Sequence, residues 1–242
     1  MTLVWVAPDQ ALPSPAQATP EGLVAAGLDL SVPRLLEAYS QGMFPWYSPG
    51  DPVLWWCPDP RMVLDVREFR VSRSLAKKLR QIRRRQHEPD APVAVTCNQA
   101  FDQVIAHCAA LRAKAGTWIS AEIRQVYGAL HRAGHAHSIE TWMDGQLAGG
   151  LYGVSLGRFF FGESMFALRT DASKIALAHL VDFLQGAGVR HIDCQQETRH
   201  LASLGARPVP RDDFLNALAR ALPETPPVWP QGRLRLREEP AC

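Results

Sequence analysis

The chain has 242 residues, 47% of them hydrophobic, enough for one large domain or two small ones with a full core. No apolar run reaches the length of a membrane-spanning helix, and the opening MTLVWVAPDQ lacks the basic and apolar regions of a secretory signal, so a cytoplasmic protein with no membrane partner is expected. The net charge is only +2, but Arg67 to Arg85 holds nine basic residues against one acid, a local +8 on an otherwise acidic chain. The five cysteines are scattered, with no CxxC pair, which argues against a zinc site or a disulfide framework and fits reduced thiols.

In chain order, residues 1–20 read as irregular lead-in. Ser31 then caps a short helix, VPRLLEAYSQG, with proline in its first turn and Gly42 at its end. Met43 to Arg61 (MFPWYSPGDPVLWWCPDPR) interleaves five aromatics with five prolines. Proline removes a backbone donor and fixes φ, so rigid loop and turn are expected, not helix or central strand. Its tryptophans either cap a core or offer flat surfaces on which a planar ligand stacks. MVLDV reads as a strand, and a boundary is placed near residue 62. Ser72 caps the basic helix that follows. Leu75, Leu79 and Ile82 form its inward stripe, leaving Arg73, Lys77, Lys78, Arg80, Arg84 and Arg85 to solvent or to phosphates.

Val93 to Thr96 reads as a strand and Asn98 to Leu111 as a helix, with Phe101, Val104, Ile105 and Cys108 on one face. After a turn at Gly116-Thr117-Trp118, a helix runs from Ala121 to Ala133. Three strands follow, His137 to Met143, Gln146 to Ser155 and Arg158 to Phe166, broken at Asp144-Gly145 and Gly157. Ser173 to Gln185 is a helix capped by Thr170 or Asp171. Val189 to Gln195 is a strand and Asp212 to Ala221 a helix. The proline-rich tail is expected to be loosely ordered beyond Pro230. The order helix, helix, antiparallel strands, helix, strand belongs to an α+β domain and is similar to the acetyltransferase-like (GNAT) layout.

Three polar residues stand out. On a strand, His191, Asp193 and Gln195 share one face, and Cys194 points the other way. Glu163 sits in FFFGESMF, the most apolar strand, where a lone carboxylate needs a partner or an opening. Gly162 permits a bulge that turns Phe160 and Glu163 toward one site. Each of the three also fits a structural hydrogen bond at a strand end. His135 and His137 read as ordinary strand-entry residues. The segment Ala167 to Lys174, where coenzyme-A-dependent members of the superfamily carry a glycine-rich pyrophosphate loop, has no glycine and carries an acid, which disfavours coenzyme A.

The blocks GMFPWYSPGDPVLWWCPDPR, GTWI, GHAHSIE, GGLYGV, FFFGESMF and HIDCQ, then HLASLGA, resemble in order the bacterial leucyl/phenylalanyl-tRNA–protein transferases. The likeness runs from about Leu12 to Trp229. It implies a small N-terminal α/β domain (1–62) and a C-terminal GNAT-like domain (63–242) with a mixed, largely antiparallel sheet. It also implies transfer of leucine or phenylalanine from leucyl-tRNA or phenylalanyl-tRNA to the N-terminal Arg or Lys of a protein, marking it for degradation. By the same resemblance, Trp46 and Trp118 would contact the terminal adenosine. Leu151, Phe160, Leu177, Leu180 and Leu184 would line the side-chain pocket. Glu163, Asp193 and Gln195 would form the reaction centre, and the basic helix would hold tRNA phosphates. Trp55 and Trp56 would pin the two domains together. The family pattern has methionine at Leu151 and phenylalanine at Leu180 and Leu184, so a pocket tilted toward phenylalanine or another bulky side chain is expected, with methionine a further candidate for transfer.

Aminolysis of an ester by an α-amine of pKa about 7.7–8.0 needs no strong base, metal, cofactor or covalent intermediate. A monomer is expected. Gln195 can accept a hydrogen bond from the amine, Asp193 can hold Gln195 or take the proton, and Glu163 can attract the cationic acceptor. Another aminoacyl-tRNA-dependent transferase, acting on cell-wall precursors, and a non-catalytic RNA-binding protein are the competing readings.

Overall fold

The structure is a computed structural model that describes residues 3–112 and 117–238. Gly116 of the expected turn and Cys242 lie outside them. Among the described residues the strands fall into a four-stranded and an eight-stranded sheet.

The smaller sheet is built from β1 (Trp5–Val6), β2 (Leu23–Gly27), β3 (Phe44–Pro45) and β4 (Val53–Trp56), with α1 (Val32–Ser40) inserted after β2. Its order is β1-β2-β4-β3, with β1 parallel to β2 and the other pairs antiparallel. Two expectations are corrected here. The lead-in contributes β1, and the Trp/Pro segment is a hairpin whose second strand lies inside the sheet. The prolines had argued against strand, but Val53–Trp56 contains none, and Pro45 sits on the edge strand, where a missing donor costs no ladder bond. Ser31 Oγ caps α1 at Arg34 N, as its sequence predicts.

The larger sheet has the order β11-β5-β10-β9-β8-β7-β6-β12. Its strands are β5 (Arg61–Asp65), β6 (Val93–Cys97), β7 (Ala136–Met143), β8 (Gln146–Leu156), β9 (Phe159–Ala167), β10 (His191–Gln195), β11 (Arg207–Val209) and β12 (Gly232–Arg233). All neighbours are antiparallel except β9 and β10. The remaining helices are α2 (Arg73–Arg85), α3 (Phe101–Arg112), α4 (Ala121–Arg132), α5 (Ala172–Gly186), α6 (Arg199–Ser203) and α7 (Arg211–Ala221). Helices α3 and α4 cover one face of the sheet, together with α1 and the smaller sheet. Helices α5 and α2 cover the other. Alternation along β9 serves both cores: Phe159 and Phe161 enter the first, Phe160 the second.

Asp171 begins α5 with φ 68° but makes no capping bond. Its carboxylate takes Lys78 Nζ at 2.5 Å and Lys174 Nζ at 3.6 Å, tying α2 to α5.

The tail is also corrected. Trp229 stacks on His137 with ring centroids 4.0 Å apart and leans on Phe160 and Phe183. β12 pairs with β6, Leu234 and Leu236 are buried, and Gln86 holds both Leu236 backbone groups through its side-chain amide. The alternation Arg233-Leu234-Arg235-Leu236-Arg237 is a short strand signal that the surrounding prolines overshadow. Truncating a buried leucine costs about 2 kcal/mol or more. Leu236→Ala is therefore expected to lower the melting temperature by several degrees in a thermal unfolding scan, whereas a loose tail would leave it unchanged.

Candidate active site

The parallel pairing of β9 and β10 is short. It runs from His191↔Phe159 to Asp193↔Phe161 and stops there, although β9 continues to Ala167. Both strands lose register at this point: β9 against β8 around Glu163, and β10 against β5 between Asp193 and Gln195. The bulge expected beside Gly162 is thus present. The fork opens into a cavity of about 1110 Å³ whose walls include the N-terminal hairpin, α5 and the β10–α6 segment.

The cavity brings together most of the expected residues. Leu151, Phe160, Leu177 and Leu180 form an apolar wall, joined by Ile192 and Cys194. Phe160 has room there because Gly153 faces it on β8; a Cβ on Gly153 would lie 2.5 Å from the Phe160 ring. Trp46 and Trp118 line the same space. Trp46 is half-exposed, at 42%, and is set against Trp56 edge-to-face, while Trp56 Nε1 donates to Trp46 O at 2.7 Å. Trp56 therefore belongs to the cavity wall, whereas Trp55 is buried in the core that the smaller sheet shares with α3, α4 and α7. Leu184 is not brought in. One turn beyond Leu180 on the same helix face, it is fully buried in the core behind the cavity.

Glu163 and Gln195 meet at the fork. Gln195 Nε2 donates to Glu163 Oε1 at 2.9 Å, leaving the amide oxygen as an acceptor. Tyr39 Oη donates to the same oxygen at 2.7 Å and Tyr127 Oη to Oε2 at 3.2 Å, and the two hydroxyls also touch each other. Burial lifts the Glu163 carboxyl to about 7, against these hydrogen bonds and with a further push from the charge of Asp193. The tyrosines, on α1 and α4, are held well above their ordinary value by burial and by Glu163, so they remain donors. Nothing local in the sequence signals them, since each reads as one aromatic position on an apolar helix face.

Of the two expectations for Asp193, the structure shows it holding Gln195, through the backbone N–H. It has no exposed surface and does not line the cavity. Its carboxylate takes both Arg61 Nε at 2.8 Å and Arg61 Nη2 at 2.7 Å, and Oδ1 also accepts the Gln195 N–H at 2.8 Å. Buried and absent from the cavity lining, this carboxylate is turned to Arg61 and the Gln195 backbone. Arg61 was legible only as the end of the Trp/Pro segment.

Helix α2 carries its basic residues as expected, with Leu75 and Ile82 inward. Arg73, Lys77, Arg80 and Arg84 are exposed; Lys78 pairs with Asp171, and Arg85 pairs with Glu88.

The raised Glu163 value has a consequence for stability. Between about 4.5 and 7 the folded state holds a proton on Glu163 that the unfolded chain has released, so stability from this group falls as pH rises through that window, by up to about 1.4 kcal/mol per unit. The buried His137 and His179, lowered to about 3 and about 4, act in the opposite sense at acid pH. Subtracting the curve of Glu163→Gln from that of the unmodified protein cancels the histidines. The difference measured by denaturant titration is expected to slope downward from pH 4.5 to 7; a flat difference would contradict the assignment.

The Leucyl/phenylalanyl-tRNA protein transferase profile matches residues 63–219, and the profile of that family's N-terminal domain matches residues 28–59. Three relatives carry the name leucyl/phenylalanyl-tRNA–protein transferase. That of Bordetella petrii is 58% identical over 97% of this chain and 94% of its own. That of Bordetella bronchiseptica is 56% identical over 97% and 93%, and that of Chromobacterium violaceum 52% over 93% and 95%. Among solved structures, a GCN5-related N-acetyltransferase from Kribbella flavida aligns with a TM-score of 0.38 at 12% identity, over 72% of this chain and 59% of its own, a likeness too low to carry an argument. On the profile matches and the full-length identities, the chain belongs to the leucyl/phenylalanyl-tRNA protein transferase family.

Proposed function

We propose that this protein transfers leucine or phenylalanine from aminoacyl-tRNA to the N-terminal Arg or Lys of acceptor proteins in the cytoplasm, marking them for N-end-rule degradation. Family membership supports the reaction. The observation that carries its placement is a cavity joining three indole rings, Trp46, Trp56 and Trp118, an apolar wall and the Glu163–Gln195 pair. Its volume exceeds that of a drug-sized pocket and suits an aminoacyl-adenosine with a peptide N-terminus beside it.

In this reading Trp46 and Trp118 hold the terminal adenosine, and Leu151, Phe160, Leu177 and Leu180 hold the transferred side chain. Exposed Arg73, Lys77, Arg80 and Arg84 meet tRNA phosphates. The Gln195 amide oxygen accepts from the attacking amine and aims its lone pair. The amine nitrogen bonds to the ester carbonyl carbon, and the bond to the 3′-oxygen breaks. The amine proton passes to the Glu163 carboxylate and then to the leaving oxygen. With a value of about 7, Glu163 is matched to an amine at about 7.7–8.0. Most of the rate comes from alignment, worth effective molarities of roughly 10⁵ M. The separate profile matches, and the change of sheet at β5, support two domains meeting near residue 62.

With labelled phenylalanyl-tRNA, transfer is expected to a peptide beginning with Arg and not to a matched peptide beginning with Ala. Binding without transfer would favour an RNA-binding protein. Glu163→Gln is expected to slow transfer by about 100-fold and to remove the rise in rate around pH 7, leaving only the titration of the amine. In competition, phenylalanyl-tRNA is expected to outrun leucyl-tRNA, and Leu180→Phe to shift that ratio toward leucine by about tenfold. Equal transfer of both by the unmodified protein would refute the tilt.

A further inference from the structure

Gln195 occupies an unusual backbone position. Its φ is 61°, in the left-handed region that residues with a Cβ avoid, at the point where β10 slips against β5. Only this turn of the chain carries its side chain onto Glu163, so something must hold the backbone there. The hold visible in the structure is the Asp193 Oδ1 acceptor on the Gln195 N–H. That carboxylate is fixed in turn by Arg61, which meets it with two nitrogens in a fork, both side chains having no exposed surface. The guanidinium cannot swing away. Its Cζ lies 4.7 Å from the Phe44 ring centroid on β3 and 4.5 Å from that of Phe214 on α7. Its third nitrogen, Nη1, is buried without a hydrogen-bond partner.

We propose that Arg61 is a positioning residue for the transfer step: clamped between Phe44 and Phe214, it sets the Asp193 carboxylate and through it the orientation of the Gln195 amide. This rests on the reading of Gln195 as the group that aims the amine. Arg61 touches no substrate, and neither does Asp193. A lysine at 61 keeps the charge but offers one point of contact in place of a planar fork, so Asp193 rotates and Gln195 loses its fixed turn.

A double-mutant cycle on the full chain tests this, with phenylalanyl-tRNA and an Arg-initiated peptide as substrates. Asn tolerates the left-handed region and shortens the amide by one carbon, so Gln195→Asn breaks the reach to Glu163 without new backbone strain. Arg61→Lys and Gln195→Asn are each expected to lower kcat at least tenfold, with KM for phenylalanyl-tRNA changed less than twofold. The double variant is expected to be no more than twofold slower than the slower single one, because Arg61 acts only through Gln195. If instead the two losses multiply, or Arg61→Lys acts on KM, the positioning role is overturned while the reading of Gln195 stands. If Gln195→Asn alone keeps full kcat, that reading falls and this proposal with it. Should thermal unfolding show that Arg61→Lys does not fold, Phe214→Leu takes its place in the cycle. It leaves the ion pair intact, loosens one side of the clamp, and carries the same expectation of non-additivity.

Discussion

Two opposite charges, Arg61 and Asp193, lie with no exposed surface between β5 and β10. Taking them out of water is costly, and the arrangement persists because the fork geometry, the Gln195 N–H and the two flanking rings answer nearly every polar valence. Removing one partner of such a pair typically costs about 3–5 kcal/mol, since the other charge is then stranded. The pair gathers four parts of the chain: β5, β10, the N-terminal hairpin through Phe44, and α7 through Phe214. Three of these parts, the hairpin, β5 through Leu64 and β10, also line the cavity, so the ion pair helps fix the frame of the candidate site.

Glu163 depends on the same frame. The charge of Asp193 pushes Glu163 toward protonation, and of the two acids only Asp193 is met by an arginine. Glu163, with tyrosines and an amide instead, is the one that exchanges protons near neutrality. The environments divide the labour between two acids that look equivalent on paper.

Much of this fold is legible in the sequence because its elements are amphipathic and well punctuated. Ser31, Ser72 and the Leu75–Ile82 stripe announce helices, and Asp144-Gly145 and Gly157 mark the turns between the three long strands. What stayed hidden is of two kinds. Short strands such as Trp5–Val6 and Arg207–Val209 exist only because a neighbour offers a ladder, and the prolines around Val53–Trp56 mask a strand that contains none. The site splits the same way. Glu163, Gln195, Trp46 and Trp118 stand in recognisable blocks, and so does Arg61, whose partner does not show there; Tyr39 and Tyr127 stand outside every block, and all three meet their partners across more than thirty positions of chain. The i, i+2 logic of β10 placed Asp193 correctly on the side of Gln195, but could not show that an arginine already held it.

The two-residue strand Gly232–Arg233 has a consequence out of proportion to its length. It pairs with Thr96 and Cys97, and Leu234 N–H reaches Val95 O, at one end of the strand Val93–Cys97, which would otherwise form an open border of the large sheet. The opposite border is a three-residue strand containing Pro208, too short and too poor in donors to recruit a partner. An uncovered five-residue strand is a template on which another copy can continue the ladder. The segment that also backs Phe160 with Trp229 thus closes the Cys97 end of that border, and a lesion there bares ladder groups as well as buried leucines.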